Sequence, residues 1–358
     1  VTTPGGTGAG LRVVVVGATG NVGTSVVEAL SRDPAIGAIV GIARRRPRWQ
    51  VPKTEWVEAD IVHSDLVEIF DGADVVVHLA WLFQPTHRPL TTWRVNVVGG
   101  RRVFAATARA GVRALVHASS VGAYSPGPKD RPVDESWPTD GWPTAGYTRE
   151  KAYLERVLDA FEREHPRVRV VRLRPGFIFK RESASQQRRL FTGPLLPGRL
   201  VRPGIVPVVP DLPGLRFQAL HTADAAEAYR LAVVRDVRGA FNLAAEPAVD
   251  AQLLADCLGA RPVRLPAGPV RAALAAAWHL HLVPAAPHLL DAVLRIPLMD
   301  TSRAARELGW SPRRSAREAI EEFLHGLRTS GGMSTPPLAP RLVGGRLAEV
   351  GTGVGQRP

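Results

Sequence analysis

The first apolar pattern stands at residues 11–16, LRVVVV, a short β-branched run of the kind shown by a strand buried on both faces. A helical spacing of apolar positions follows over about 22–32, and further apolar runs cover 38–43 (AIVGIA) and 74–80 (DVVVHLA). A helix with Asn96 near its start extends to about 110, and a strand, ALVHASS, spans 114–120. The helix that carries Tyr147 and Lys151 runs to about 164, and the strand VRVVRLRP comes next. Strands alternating with helices over short connections predict an α/β fold, a Rossmann-like doubly wound parallel sheet. From about 180 the pattern loosens. Residues 193–215 mix Pro and Gly with apolar positions, which suits a shaped loop wall better than a central strand. The Ala/Leu-rich stretch 268–298 reads as a packed helical cap, with cover for an apolar substrate or contact with a membrane surface as the alternatives. Residues 301–328 read as a pair of capped, charged surface helices.

Composition adds limits. A chain of 358 residues with 45% hydrophobic content has material for one large domain or two unequal lobes. The formal net charge of +13 favours anions, including phosphates and nucleic acid. The basic residues are scattered rather than gathered in one run, so nucleic acid is not the expected partner. Cys257 is the single cysteine, which excludes a disulfide within the chain and fits a reducing compartment, the cytoplasm. It reads as a small buried apolar side chain. The opening VTTPGGTGAG has no basic region followed by an apolar one, so a signal peptide is not expected, and no apolar run is long enough to predict a membrane span.

The first strand leads into Gly17-Ala-Thr19-Gly20-Asn21-Val22-Gly23 and then a helix. Glycines at this spacing allow a tight turn and close approach of a diphosphate to the backbone, while the helix start offers free N–H groups. Strand, spacing and helix together predict a dinucleotide site. Twenty residues past Gly23, where a carboxylate would take the ribose hydroxyls of NAD, the chain has Ala43 followed by Arg44-Arg45-Arg46. Guanidinium groups there suit a 2′-phosphate, so NADP(H) is favoured over NAD(H), against a solvated basic turn that touches nothing. Asp60-Ile61, at the end of another short strand, could meet the adenine edge.

Tyr147 and Lys151 lie four residues apart on one helix and share a face. An ammonium beside a phenol lowers the phenol's pKa and makes it a usable acid or base. Nearly all of the 46 Lys+Arg are Arg, so a Lys at this position points to a local chemical role. The pair Ser119-Ser120 stands at the strand end on the side of the sheet where such folds bind ligands.

In order, GATGNVG at 17–23, DVVVHLA at 74–80, Asn96-Val-Val-Gly, ASSVGAY at 118–124, YTREK at 147–151, LRPG at 173–176, LHTADAA at 220–226, FNL at 241–243 and DTSRAARELGW at 300–310 resemble the extended short-chain dehydrogenase/reductase family, of the NAD(P)-dependent epimerase/dehydratase type. The resemblance covers roughly residues 11–328. It implies that Ser120 holds the substrate oxygen, Tyr147 transfers the proton, Lys151 binds the nicotinamide ribose and lowers the Tyr147 pKa, and Asn96 supports the site helix. It also implies that Leu79 and Ala80 line the cofactor, that Pro175 to Ile178 pass beside the nicotinamide amide, and that two surface helices could form a homodimer. No metal is expected.

The expected division is a flexible start at 1–10, a dinucleotide-binding domain at 11–180 completed by segments near 217–245, a smaller mixed substrate lobe over 181–328, and a disordered tail at 329–358. Two positions depart from the family. Phe217 stands where nucleotide-sugar members hold an Arg for the substrate diphosphate, with Arg216 one residue out of register, and Lys180 replaces a frequent Gly beside the nicotinamide loop. The mostly apolar 193–215 segment suits a hydrophobic carbonyl compound better than a sugar nucleotide. Trp137 and Trp142 are candidates for the substrate mouth. The leading expectation is therefore an NADP(H)-dependent oxidoreductase acting on a hydrophobic ketone or alcohol. The rivals are a nucleotide-sugar epimerase or dehydratase that retains its cofactor, and a non-catalytic cofactor sensor or nucleic-acid-binding member of the fold.

Overall fold

Leu11–Val16 (β1) lies in the interior of the sheet, and Val13 to Val16 are fully buried because they alternate between two separate cores. The computed structural model describes residues 10–84, 86–193, 201 and 205–340. After β1 come Asn21–Arg32 (α1), Ile36–Ala43 (β2), Thr54–Glu58 (β3), Leu66–Phe70 (α2), Val75–His78 (β4), Pro89–Trp93 (α3), Gly99–Arg109 (α4), Ala114–Ala118 (β5) and Gly146–Glu164 (α5). With the strands Arg169–Pro175 and Gly239–Leu243 these form a seven-stranded parallel sheet, ordered β3, β2, β1, β4, β5, Arg169–Pro175, Gly239–Leu243. The order reverses at β1, so the strand ends of β1 and β4 open a crevice where a ligand can lie.

One face of the sheet is covered by α1 and the helix Thr222–Val234, through Val26, Val27, Leu30, Tyr229 and their neighbours. The other is covered by α4 and α5, through Val103, Phe104, Leu154 and Leu158. Strands with apolar side chains on both faces need both layers, which is why the runs read as continuous rather than alternating.

Three details differ from the sequence pattern. Asn96 does not start a helix. It sits in a π-helical turn, Arg94–Val98, that joins α3 to α4 without a break; such a turn has no apolar period of its own to read. Of the segment near 217–245, Gly239–Leu243 joins the main sheet, whereas Arg216–His221 pairs with Phe177–Phe179 and Ala245–Asp250 in a separate three-stranded sheet. The chain leaves the main sheet at Gly176, where a Cβ would stand 2.5 Å from the Gln218 carbonyl oxygen. Residues 331–340, expected from their Gly and Pro content to be disordered, are packed: Leu338 is fully buried and Thr335 nearly so. Apolar Leu338 and Met333 give this short stretch something to bury despite its composition.

The strand Arg169–Pro175 is bound to α5 by charge. Glu155, fully buried on α5, accepts from Arg174 Nε at 2.9 Å and Nη2 at 3.0 Å, from Arg172 Nη1 at 3.0 Å and from Ser119 Oγ at 2.6 Å. Burial alone would raise this carboxyl, but the two guanidinium groups and the hydroxyl hold it down at about 2. Replacing Glu155 by Gln removes the carboxylate that the buried Arg174 guanidinium bonds, while Arg172 keeps Asp159 and Glu162, and is expected to cost about 3–5 kcal/mol in denaturant unfolding. A lowered pKa also means that Glu155 contributes its full stabilisation above its ordinary value of 4.5 and loses it as pH falls toward about 2. Glu155→Gln should therefore flatten the acid limb of the stability curve in that window, and an unchanged limb would contradict this role.

Candidate functional site

The loop after β1 is shaped by contacts that leave no room for side chains. Gly17 has φ +88°, and a Cβ there would meet the Ala80 nitrogen at 2.7 Å. A Cβ on Gly23 would lie 2.2 Å from the Gly17 carbonyl oxygen, so the first turn of α1 presses on the loop itself. Gly20 is different: the nearest protein atom to its Cβ would be 3.5 Å away. No protein contact forbids a side chain at Gly20, so its bareness matters for what approaches the loop from the cleft. No side chain caps α1, because its N-cap is Gly20, and the Asn21 amide donates to the Ile178 carbonyl at 3.3 Å and accepts from the Thr222 hydroxyl at 3.2 Å. The first-turn N–H groups are thus left for an anion.

This loop lies in a cleft of about 400 Å³ that follows the carboxyl ends of the strands. Of the residues singled out above for cofactor or catalysis, Gly17, Thr19 to Gly23, Arg44, Arg45, Asp60, Ile61, Leu79, Ala80, Ser120, Tyr147, Lys151, Pro175 and Ile178 line it, whereas Arg46 and Asn96 do not. Asn96 is buried behind it. Its amide oxygen accepts the Leu82 N–H at 2.7 Å, and its nitrogen donates to the Leu82 carbonyl at 2.9 Å and to Glu150 on α5 at 2.6 Å. It therefore fixes the chain after β4 against α5, a supporting position rather than a lining one.

At one end of the cleft β2 finishes at Ala43, and the exposed Arg44 and Arg45 follow with no carboxylate partner among the described residues. Asp60 closes a local turn after β3: its carboxylate accepts the Val62 N–H at 2.8 Å and its own N–H donates to Ser64 Oγ at 3.0 Å. At the other end Tyr147 and Lys151 emerge from the first turns of α5, beside Ser120 at the end of β5. Gly122 makes room for the Tyr147 ring, since a Cβ there would stand 2.8 Å from Tyr147 Cε1.

The electrostatics of this pair correct the sequence expectation. Burial pushes the Tyr147 phenol up to about 12, while its hydrogen bond with Ser120 acts the other way. Lys151 does not lower it. Its ammonium donates to the Ala118 carbonyl at 2.6 Å, lies 3.5 Å over the Trp81 ring and is 5.9 Å from the centre of the Tyr147 ring. Burial brings Lys151 itself down to about 7, against the opposing charges of Glu155 and Glu150. Burial thus shifts each group toward its neutral form when the cleft holds protein alone.

Sequence reasoning missed the aromatic clamp. Phe83 stacks on Tyr147 at 4.9 Å and 11°, Trp81 meets the same ring edge-on at 5.6 Å, and Phe191 meets Phe83 edge-on at 5.8 Å. The signal is the run WLF at 81–83, directly after the apolar run 74–80. The 268–298 stretch forms helices Ala267–His279 and Pro287–Val293, and the second closes this end of the cleft with Leu289, Ala292 and Val293. Residues 194–200 and 202–204 of the expected apolar wall lie outside the described residues. Trp137 and Trp142 do not line the cleft; the Trp137 indole donates to the Ser125 carbonyl at 3.3 Å and Arg295 lies over the Trp142 ring. Cys257 is only half-buried, beside Arg317 and Glu321. Lys180 points away from the cleft, donating to Thr24 Oγ1 at 2.7 Å and Ser25 Oγ at 3.1 Å on α1. Among the described residues no group of three or more His, Cys, Asp or Glu is placed to hold a metal, and no helix is long and apolar enough to cross a membrane.

A bare Gly20 and an uncapped helix start, with Tyr147 and Lys151 further along the same cleft, fit a dinucleotide. A model of the NAD dependent epimerase/dehydratase family matches residues 13–244. The protein Rv0501 of Mycobacterium tuberculosis (strain ATCC 25618 / H37Rv) is 26% identical over 341 residues, covering 88% of this chain and 83% of its own. A 4-hydroxy-2-methyl-3-oxo-4-farnesyl-3,4-dihydroquinoline-1-oxide ketoreductase of Stigmatella aurantiaca is 29% identical over 171 residues, 47% of this chain and 51% of that protein. The UDP-glucose 4-epimerase of Thermus thermophilus, solved as a complex with NAD, has a similar fold, with a TM-score of 0.67 at 21% identity over 89% of this chain and 99% of that one. The chain belongs to the NAD-dependent epimerase/dehydratase family, as an NAD(P)-dependent enzyme of the extended short-chain dehydrogenase/reductase type.

Proposed function

We propose that this enzyme is an NADP(H)-dependent oxidoreductase that moves a hydride between nicotinamide C4 and a hydrophobic ketone or alcohol. The observation that carries the reading is the wall beyond Tyr147. Trp81, Phe83, Phe177, Phe191, Leu289 and Ile296 border that end of the cleft, which favours an apolar or ring-bearing carbonyl compound over a charged diphosphate. Phe217, at the position where nucleotide-sugar members carry Arg, packs its ring on Phe177 at 4.8 Å. Arg216 gives its guanidinium to the Lys129 carbonyl at 2.9 Å and is not a substitute. The partial relative that is a ketoreductase agrees with this reading. Ala43 with Arg44 and Arg45 supports NADP(H), because no carboxylate there repels a 2′-phosphate.

In this mechanism the loop Gly17 to Gly23 would hold the diphosphate, Lys151 the nicotinamide ribose, and the chain from Pro175 to Ile178 the carboxamide end. When bound, the nicotinamide supplies or takes up the hydride. Tyr147, with its pKa at about 12, keeps its proton at neutral pH and donates it to the carbonyl oxygen in the reductive direction. The Ser120 hydroxyl donates to the same oxygen and polarises it. Lys151 has three donors, one of them on the Ala118 carbonyl, which leaves two for ribose hydroxyls. Asn96 and Glu150 keep α5 and the Leu82 backbone in register with the site.

The reading is tested by supplying NADPH with a panel of hydrophobic ketones. Consumption of NADPH in proportion to alcohol formed is expected, whereas conversion of a UDP-sugar with no net change in cofactor would favour the epimerase. Tyr147→Phe should lower turnover by about 10²–10⁴-fold while NADPH still binds; turnover at the wild-type rate would remove Tyr147 from the mechanism. The ammonium of Lys151 is lost as pH rises through about 7, so NADPH affinity should weaken above that pH. Lys151→Met should bind more weakly at pH 6 and show no bend near 7, and a bend that persists in the variant would assign it to another group.

A further inference from the structure

The chain beyond the last long helix, Ala316–Thr329, returns to the phosphate loop. It turns at Ser330, in the left-handed region at φ 56°, and the Gly331 N–H donates to the Gly326 carbonyl at 2.7 Å. A Cβ on Gly331 would lie 2.3 Å from the Arg181 carbonyl oxygen, so the turn is pressed against the neighbouring chain. Residues 333–338 then fold back on themselves, with Met333 N–H on the Leu338 carbonyl at 2.9 Å and Leu338 N–H on the Thr335 carbonyl at 3.1 Å.

Three anchors hold this segment. Leu338 is fully buried. Arg189, from the helix Ala184–Phe191, donates to the carbonyls of Pro337 at 3.1 Å and Ala339 at 3.0 Å. The buried Lys180 ammonium, bonded to two hydroxyls of α1, also meets Met333 Sδ at 3.8 Å, which gives this departure from the family a place in the structure. From these anchors the buried Thr335 hydroxyl reaches the phosphate loop and donates to the Thr19 carbonyl at 3.0 Å. Pro336 and Pro337, next in the chain, line the same cleft as Gly20 and Asn21.

We propose that residues 331–340 form a strap that completes the diphosphate end of the dinucleotide site and slows departure of the cofactor, with Thr335, Pro336 and Pro337 as its working residues. The proposal rests on the reading of the cleft as the cofactor site. Two prolines in sequence have few backbone conformations to lose and no N–H groups left unpaired at the cleft wall. The Thr335 bond fixes the Thr19–Gly20 peptide, in the part of the loop a diphosphate would touch. Departure of the dinucleotide then requires the strap to lift from Thr19 while Arg189 and Leu338 hold its far end.

The test is the dissociation rate of bound NADPH, followed by stopped-flow loss of its fluorescence after mixing with excess NADP⁺. Thr335→Val keeps the shape and removes one hydrogen bond; it should raise the rate about fivefold. Thr335→Ser should restore it. Pro336→Gly with Pro337→Gly should raise it at least as much, with the melting temperature of the cofactor-free protein little changed in Thr335→Val. If the full-length protein binds NADPH and all variants release it at the wild-type rate, the strap has no such role. If the full-length protein binds neither NADPH nor NADH, the cofactor reading and the strap fall together, so the two failures are distinguishable.

Discussion

The Lys151 ammonium is buried and the Tyr147 phenol half-buried in the cleft wall, and the protein alone gives neither a full set of polar partners. Lys151 has one carbonyl oxygen at 2.6 Å and the face of an indole, and Tyr147 has Ser120 and two aromatic neighbours. Burial therefore moves the two pKa values in opposite directions, to about 7 and about 12. Burial disfavours the charged form of each, and hydroxyls or a carbonyl oxygen entering the cleft would supply further partners. A site with this electrostatic character gains most when the cleft is filled.

The fold exists around that constraint. The order reversal at β1 opens the crevice, and Gly17 and Gly23 allow the loop to fold tightly against Ala80 and α1. The Asn96–Leu82–Glu150 bonds hold the chain after β4 against α5, so the aromatic clamp and the Tyr147–Lys151 pair share one frame. Behind α5, the Glu155–Arg172–Arg174 cluster ties the same helix to the next strand of the sheet. Thus α5 is restrained on both sides, by hydrogen bonds that end in buried carboxylates. Such networks are costly to leave half-satisfied, which makes them suited to fixing position.

What was legible in the sequence was local. Buried strands declare themselves by continuous apolar runs, the tight turn into α1 by glycine spacing, and the shared face of Tyr147 and Lys151 by helical period. What was hidden depends on parts of the chain far apart. The π turn at Asn96 has no period to reveal it. The clamp joins Phe83 and Phe191 across the cleft, and Thr335 meets Thr19 from the opposite end of the chain. The Tyr147 pKa was misjudged because proximity along a helix says nothing of desolvation, and burial outweighed the expected charge effect. Composition misled at 331–340, where a few well-placed apolar residues are enough to anchor a Gly- and Pro-rich segment.

The central claim, that Arg44 and Arg45 dedicate this cleft to a 2′-phosphorylated cofactor for net redox chemistry, is tested most directly by calorimetric titration of the full chain with NADPH and, separately, with NADH. The account predicts that NADPH binds at least about tenfold tighter, a difference of about 1.4 kcal/mol. Equal or tighter binding of NADH would mean that Arg44 and Arg45 are a solvated turn, and would contradict the NADP(H) assignment.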